Sequence, residues 1–217
     1  MTGTLLEFAA DPRDTPIYSV AEVAAMVDVP RSTLRHWLRK PKSGRALIEC
    51  EPRLGLSFYN LLEVHILKVA LQREAWLQRI RAAVEKLRLS APGSAHPLLE
   101  RDLFTASGYR SLFATTVTGD IENLSSGGQL EFRQFLKRYL DRIDYDTYGP
   151  YQLRPFGCQH IAINHRVSGG RPVVKGTGIL VELLARRRRA GETPDQLAKD
   201  YNLTPADVRE AIRYAAA

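Results

Sequence analysis

Ser19–Arg39, SVAEVAAMVDVPRSTLRHWLR, is the stretch from which the rest of this chain is best read. Its apolar residues fall into two sets, Val23, Val27 and Val29, then Leu34 and Trp37, with a break at Asp28. That spacing predicts two short helices packed across a tight turn, with Ala24 small enough to let them cross closely. Ser19 as N-cap and Glu22 three residues on form a capping box, each side chain meeting the other's free backbone N–H. Pro30 opens the second helix, where a missing donor does no harm. With Leu34, Trp37 and Leu38 turned inward, Arg31, Ser32, Thr33, Arg35, His36 and Arg39 face out. A helix-turn-helix presenting such a face is suited to the major groove of DNA.

An ordinary helical hairpin with a solvated basic face is the alternative, and charge decides against it. Val29 to Ile48 holds six Lys/Arg and no Asp or Glu, whereas a solvated surface mixes both signs. After Arg39, Lys40-Pro41-Lys42-Ser43-Gly44 ends the helix. Ala46–Cys50 and Gly55–Phe58 read as extended pieces around Pro52. They predict a wing lying along a phosphate backbone, with Lys40, Lys42, Arg45 and Arg53 as its cations.

The chain of 217 residues has room for two or three small domains. Its net charge of +7 and pI near 9.6 favour a polyanionic partner. The charge is uneven: +1 over 1–50, +3 over 51–91, −2 over 92–150 and +5 over 151–217. Cys50 and Cys158 show no metal-type spacing and fit reduced, buried thiols. The first residues, MTGTLLEFAADPRD, lack the basic leader and apolar run of a secretory signal. With no apolar run approaching the roughly 20 residues of a bilayer span, the expectation is a cytoplasmic protein with no membrane contact.

Three regions are predicted. The first, 1–91, continues with a helix capped at Asn60 over Leu61–Gln72 and another over Trp76–Leu89, then a linker at Ser90-Ala91-Pro92-Gly93-Ser94. The second, 92–156, is a small α+β module. Leu112–Val117 reads as a strand and Ile121–Leu124 as its return. Gln129–Ile143 reads as a helix striped by Phe132, Phe135, Leu136, Tyr139, Leu140 and Ile143, and Tyr151–Phe156 as a further strand. Its acidic balance argues against DNA contact, and an adaptor or dimerisation role is expected. The third, 157–217, has a strand over Ile161–Ile163, a glycine-rich entry, and three helices. Thr193 and Thr204 cap the last two, and Leu197, Ala198, Tyr201, Leu203, Val208 and Ala211 repeat the apolar spacing of the first motif. Asp207 and Glu210 on its would-be reading helix oppose phosphate, so this second helix-turn-helix-like unit reads as a protein-binding domain. The fold class expected is therefore mainly α with small β elements.

Helix-turn-helix, wing and helix pair together resemble the MerR-type winged DNA-binding domain, but the long dimerisation coil of that family is absent. SGGRPVVKGTGILVELL followed by AGETPDQLAKDYNLTPADVREAIRYA resembles the short domain of unknown function in antitoxins paired with PIN-like ribonuclease toxins. The order of parts, with GLSFYNLLEVHIL and NLSSGGQLEF between, is similar to the larger VapB-type antitoxins over nearly the whole chain. That resemblance implies repression of the protein's own operator and neutralisation of a metal-dependent nuclease.

Other chemistries fit poorly. In Gly170-Arg171-Pro172-Val173-Val174-Lys175-Gly176-Thr177 the Lys precedes the second Gly, unlike a phosphate loop. Asp144-Tyr145-Asp146-Thr147-Tyr148-Gly149 starts like a calcium loop, but position twelve is Pro155, so it reads as a turn. The five histidines form no i,i+4 ligand pair, and no nucleophile elbow occurs. No enzyme, metal or cofactor is expected. Four consecutive arginines, Arg186–Arg189, span about 300° of a helix, so Arg186 and Arg189 alone share a face. With Arg209 and Arg213 they are the candidate toxin contacts. Arg31, Ser32, Thr33, Arg35, His36, Arg39, Lys40, Lys42 and Arg45 are the candidate DNA contacts. The reading is an antitoxin that represses its own operon, as a homodimer or larger; the alternative is a MerR-like regulator with no toxin.

Overall fold

Two helix-turn-helix units lie at opposite ends of the chain and touch each other, with a small sheet between them in sequence. The computed structural model describes residues 11–42, 44–50, 54–72, 74–90, 93, 95–99, 101–102, 110–111 and 134–216. The fold is mainly α with a small antiparallel sheet.

The first unit is α1 (Val20–Met26) and α2 (Arg31–Leu38). The Ser19–Glu22 capping box is present: Glu22 N–H donates to Ser19 Oγ at 3.1 Å and Ser19 N–H to Glu22 Oε2 at 2.8 Å. Asp28 turns the chain at φ 52°, and Val29 N–H returns to Ala24 O at 2.9 Å. Pro30 is the N-cap of α2, with Arg31 its first helical residue, one position from the expectation. Lys68 clamps the turn from outside, its Nζ donating to Val27 O at 2.9 Å and Asp28 Oδ2 at 3.0 Å.

Next come α3 (Phe58–Leu67), a 3-10 turn over Lys68–Gln72 and α4 (Glu74–Ser90). The cap of α3 is Ser57, not Asn60: Asn60 sits at the third helical position and closes a box with Ser57. Asn60 is buried, and its amide spans Glu49 O and Glu63 Oε2.

The expected wing does not form among the described residues. Ala46, Leu47 and Ile48 are buried beneath α2 without strand pairing. Leu47 and Ile48 N–H both donate to Trp37 O, and the buried Arg88 guanidinium of α4 donates to Ala46 O and Leu47 O. Apolar content pulls this segment into the core, and the acceptor Trp37 O and the donor Arg88 satisfy its backbone without a partner strand. Leu56 bridges to Tyr18 instead. Pro52 and Arg53 lie outside the described residues.

In the middle region, β1 (Arg101–Asp102) pairs with β2 (Arg110–Ser111), while the strands expected over 112–117 and 121–124 and the start of the following helix fall outside the described residues. Residues 134–140 are helical (α5), and the chain then turns, so that Ile143 begins β3 (Ile143–Asp146) rather than ending a helix. β4 (Gly149–Leu153), β5 (Ile161–Asn164) and β6 (Pro172–Val174) complete a sheet of order β3-β4-β5-β6, all neighbours antiparallel. The Asp144–Gly149 stretch is thus half strand, with its turn at Thr147–Tyr148. This sheet runs across position 156, β3 and β4 before it and β5 and β6 after.

The α5 stripe packs against the chain's own core. Leu136 and Tyr139 are 1% and 2% exposed inside the first core. His65 of α3 donates from Nε2 to Tyr139 O at 3.0 Å, and burial, which pushes His65 down to about 4, keeps that ring neutral.

The last unit is α6 (Val181–Arg189), α7 (Pro194–Tyr201) and α8 (Pro205–Ala216), built around Leu184, Leu197, Val208 and Ala211. Its α7–α8 corner copies α1–α2. Thr193 and Gln196 form the capping box, Asn202 turns at φ 52°, and Leu203 N–H returns to Ala198 O at 2.8 Å. Two tyrosines tie the ends of the chain together. Tyr18 Oη donates to Gly170 O at 2.7 Å, and Tyr214 Oη to Met26 O at 2.6 Å.

Candidate nucleic-acid interface and the C-terminal basic sites

Helix α2 is held from behind and open in front. Leu34 and Trp37 are 0% and 1% exposed, while Arg31, Ser32, Arg35, His36, Arg39, Lys40, Lys42 and Arg45 are exposed and Thr33 is half-buried. The first five residues of α2 therefore offer Arg31, Ser32 and Arg35 outward. His36 Nε2 lies 3.2 Å from Arg81 Nη2 of α4. A guanidinium carries donors only, so the His36 ring nitrogen is the acceptor in that contact.

Beside α2 lies a groove of about 740 Å³, lined by Arg35, Arg39, Lys40 and Arg45 over Leu38 and Ala46. Glu49 is the carboxylate in its wall, and it is engaged by Arg45 at 3.7 Å and Arg88 at 3.5 Å. Lys40, Lys42 and Arg45 thus stand exposed on the loop leaving α2, with no wing hairpin among the described residues.

The second unit is arranged differently. On α8, Glu210 is buried and its Oε1 accepts the backbone N–H of Gln159 at 2.8 Å and of His160 at 2.7 Å. Asp207 caps its own helix through Thr204 and pairs with His160 Nδ1 at 2.7 Å. Burial opposes its charge, but the Thr204 hydrogen bonds and His160 hold the Asp207 carboxyl below the usual range. The acids that spoil α8 as a groove reader are structural: they fasten it to the entry of β5.

The candidate toxin contacts separate into groups. Arg186 and Arg189 are exposed and line one cavity of about 720 Å³. Arg213 lines another, of about 380 Å³, and Tyr214 reaches both. Arg209 is exposed and lines neither. Arg187 is spent within the unit, on Glu192, Asp200 and the Tyr201 ring. Two cavity residues carried no signal in the sequence. Arg171 lies beside Glu22, and Tyr214 is defined by its bond to Met26. Among the described residues no cluster could hold a metal, and no helix is long and apolar enough to cross a membrane.

Residues 161–215 match a family model described as "Protein of unknown function (DUF433)". The match begins at the first residue of β5 and takes in β6 and α6 to α8. The chain is 28% identical over 232 residues, 94% of its own length and 95% of the other's, to a Mycobacterium tuberculosis protein named "Putative antitoxin VapB45". It shares its fold with the crystal structure of Rv2018 from Mycobacterium tuberculosis. There the TM-score is 0.65 and the identity 24%, covering 92% of this chain and 98% of that one.

Proposed function

We propose that this chain is an antitoxin that binds operator DNA through α2 and holds a PIN-like ribonuclease toxin through its C-terminal unit. Likeness to a protein named as an antitoxin carries the reading, because it runs through both helix-turn-helix units rather than one. The DNA half draws support from the outward cations of α2 over a fully buried Leu34 and Trp37. In this reading α2 is the MerR-like reader, and Lys40, Lys42 and Arg45 contact phosphate. Two copies would read paired half-sites about one helical turn apart, through a surface other than the α5 stripe. The toxin half draws support from a second unit whose α8 is fastened to its own protein, with Arg186 and Arg189 of α6 exposed.

Co-expression with the product of the adjacent gene tests it. The full chain is expected to co-purify with that product, and the complex to footprint the promoter of the pair. Absence of co-purification in the presence of a footprint would leave a DNA-binding regulator without a toxin.

A further inference from the structure

The cavity carrying Arg186 and Arg189 is not confined to the C-terminal unit. One wall is α1 of the DNA-binding unit, through Ala25 and Met26. The other is α6 with the Arg171 loop and the end of α8. The floor is apolar, with Met26, Leu183 and Tyr214 half-buried or buried. Three guanidiniums, Arg171, Arg186 and Arg189, stand around it against the carboxylates Glu22 and Glu182. Glu22 is taken up by its capping box and approached by Arg171 only to 3.8 Å. Among the described residues Arg186 and Arg189 have no carboxylate partner, whereas the neighbouring Arg187 has two.

We infer that this groove is a docking site for an acidic, apolar-faced segment of a partner protein, seated between the DNA-binding and C-terminal units. The inference rests on the proposed pairing with a toxin and assigns the surface that pairing uses. Charge complementarity favours a carboxylate-bearing segment, since Arg186 and Arg189, without a carboxylate partner among the described residues, flank an apolar floor. Nucleic acid fits worse, because a sugar-phosphate backbone has no apolar face to cover Met26, Leu183 and Tyr214. A docked segment would touch α1 directly, so neither end of the chain forms the site alone.

The test uses the full chain and the adjacent gene's product as probe, with a photo-crosslinking amino acid at the exposed Ala25. Arg186→Glu/Arg189→Glu is expected to weaken the complex about a hundredfold while operator affinity holds. Irradiation is expected to attach Ala25 to a segment of the probe rich in Asp or Glu. Circular dichroism of the reversal variant checks that it folds, and Arg186→Lys/Arg189→Lys, keeping charge, is expected to bind within a few-fold of wild type. If the probe binds but Ala25 captures nothing, or captures a segment without carboxylates, the groove is overturned and the pairing survives. If reversal lowers operator affinity as much as probe affinity, the arginines are a phosphate track and the groove is again overturned. If wild type fails to bind the probe, the pairing falls and takes the groove with it.

Discussion

Raising the pH should loosen the chain through His96. This imidazole, 13% exposed, sits between two carboxylates, Nδ1 at 3.1 Å from Glu63 Oε2 and Nε2 at 3.0 Å from Asp14 Oδ1. Glu63 lies on α3 with its side chain 1% exposed, Asp14 in the lead-in, and His96 just beyond the end of α4, so the contact ties three segments together. Burial alone would lower His96, but hydrogen bonds and charge from Glu63 and Asp14 outweigh it and push it up to about 9, from an ordinary 6.5. Burial also pushes the Glu63 carboxyl up, while His96 pulls it back, so the two share one charge pair. A folded value above the unfolded one means the folded chain holds the extra proton. The stability is then fully present below about 6.5 and lost as pH rises through about 9. At 1.36 kcal/mol per unit the whole effect is about 3 kcal/mol. Urea denaturation at pH 6, 7.5 and 9.5 should follow that decline. His96→Gln should cost about 3–5 kcal/mol at pH 6 by leaving Glu63 buried and unpaired, and should flatten the slope. A variant whose stability falls with pH as steeply as wild type would show that His96 is not the group responsible.

Other expectations concern DNA and packing. Arg31→Ala or Arg35→Ala should each cost about 1–3 kcal/mol of operator binding and relax specificity, measured by titration against mutated half-sites. Lys42→Ala or Arg45→Ala should instead weaken all sequences alike and lower the salt slope by about 1 per cation. Gly170→Ala, at φ 72° with a Cβ that would stand 2.1 Å from Tyr18 Oη, should pry the N-terminal unit from the β5–β6 region, read as a lowered melting temperature that Tyr18→Phe only partly reproduces. Trp37→Ala should cost about 3–5 kcal/mol in chemical denaturation, since its side chain is the largest fully buried one among the described residues.

Both helix-turn-helix corners were legible because their determinants are local. A cap with its box residue three positions on, and a turn residue able to take positive φ, all lie within a dozen positions. The open face of α2 followed from the same spacing. What failed was whatever depended on distant partners. Ala46–Ile48 has the apolar run of a strand, and only Trp37 O and Arg88, which satisfy its backbone, make it a buried coil. The stripe on α5 marked a face that must be covered, but nothing local says that α3 of the same chain covers it. The division expected between 156 and 157 falls at a turn between two strands. Here β4 and β5 pair across it, with Leu153 opposite Ile163. The groove was invisible for a related reason: its walls come from residues 22–26, 171–189 and 214–215, which share no local pattern.

The separate roles proposed for α2 and α6 are best tested by rescue of cells expressing the adjacent gene's product. Wild-type chain should restore growth, Arg31→Ala/Arg35→Ala should restore it equally while losing the operator footprint, and Arg186→Glu/Arg189→Glu should fail to restore it while keeping that footprint. Loss of rescue in the α2 variant, or full rescue by the α6 variant, would contradict the account.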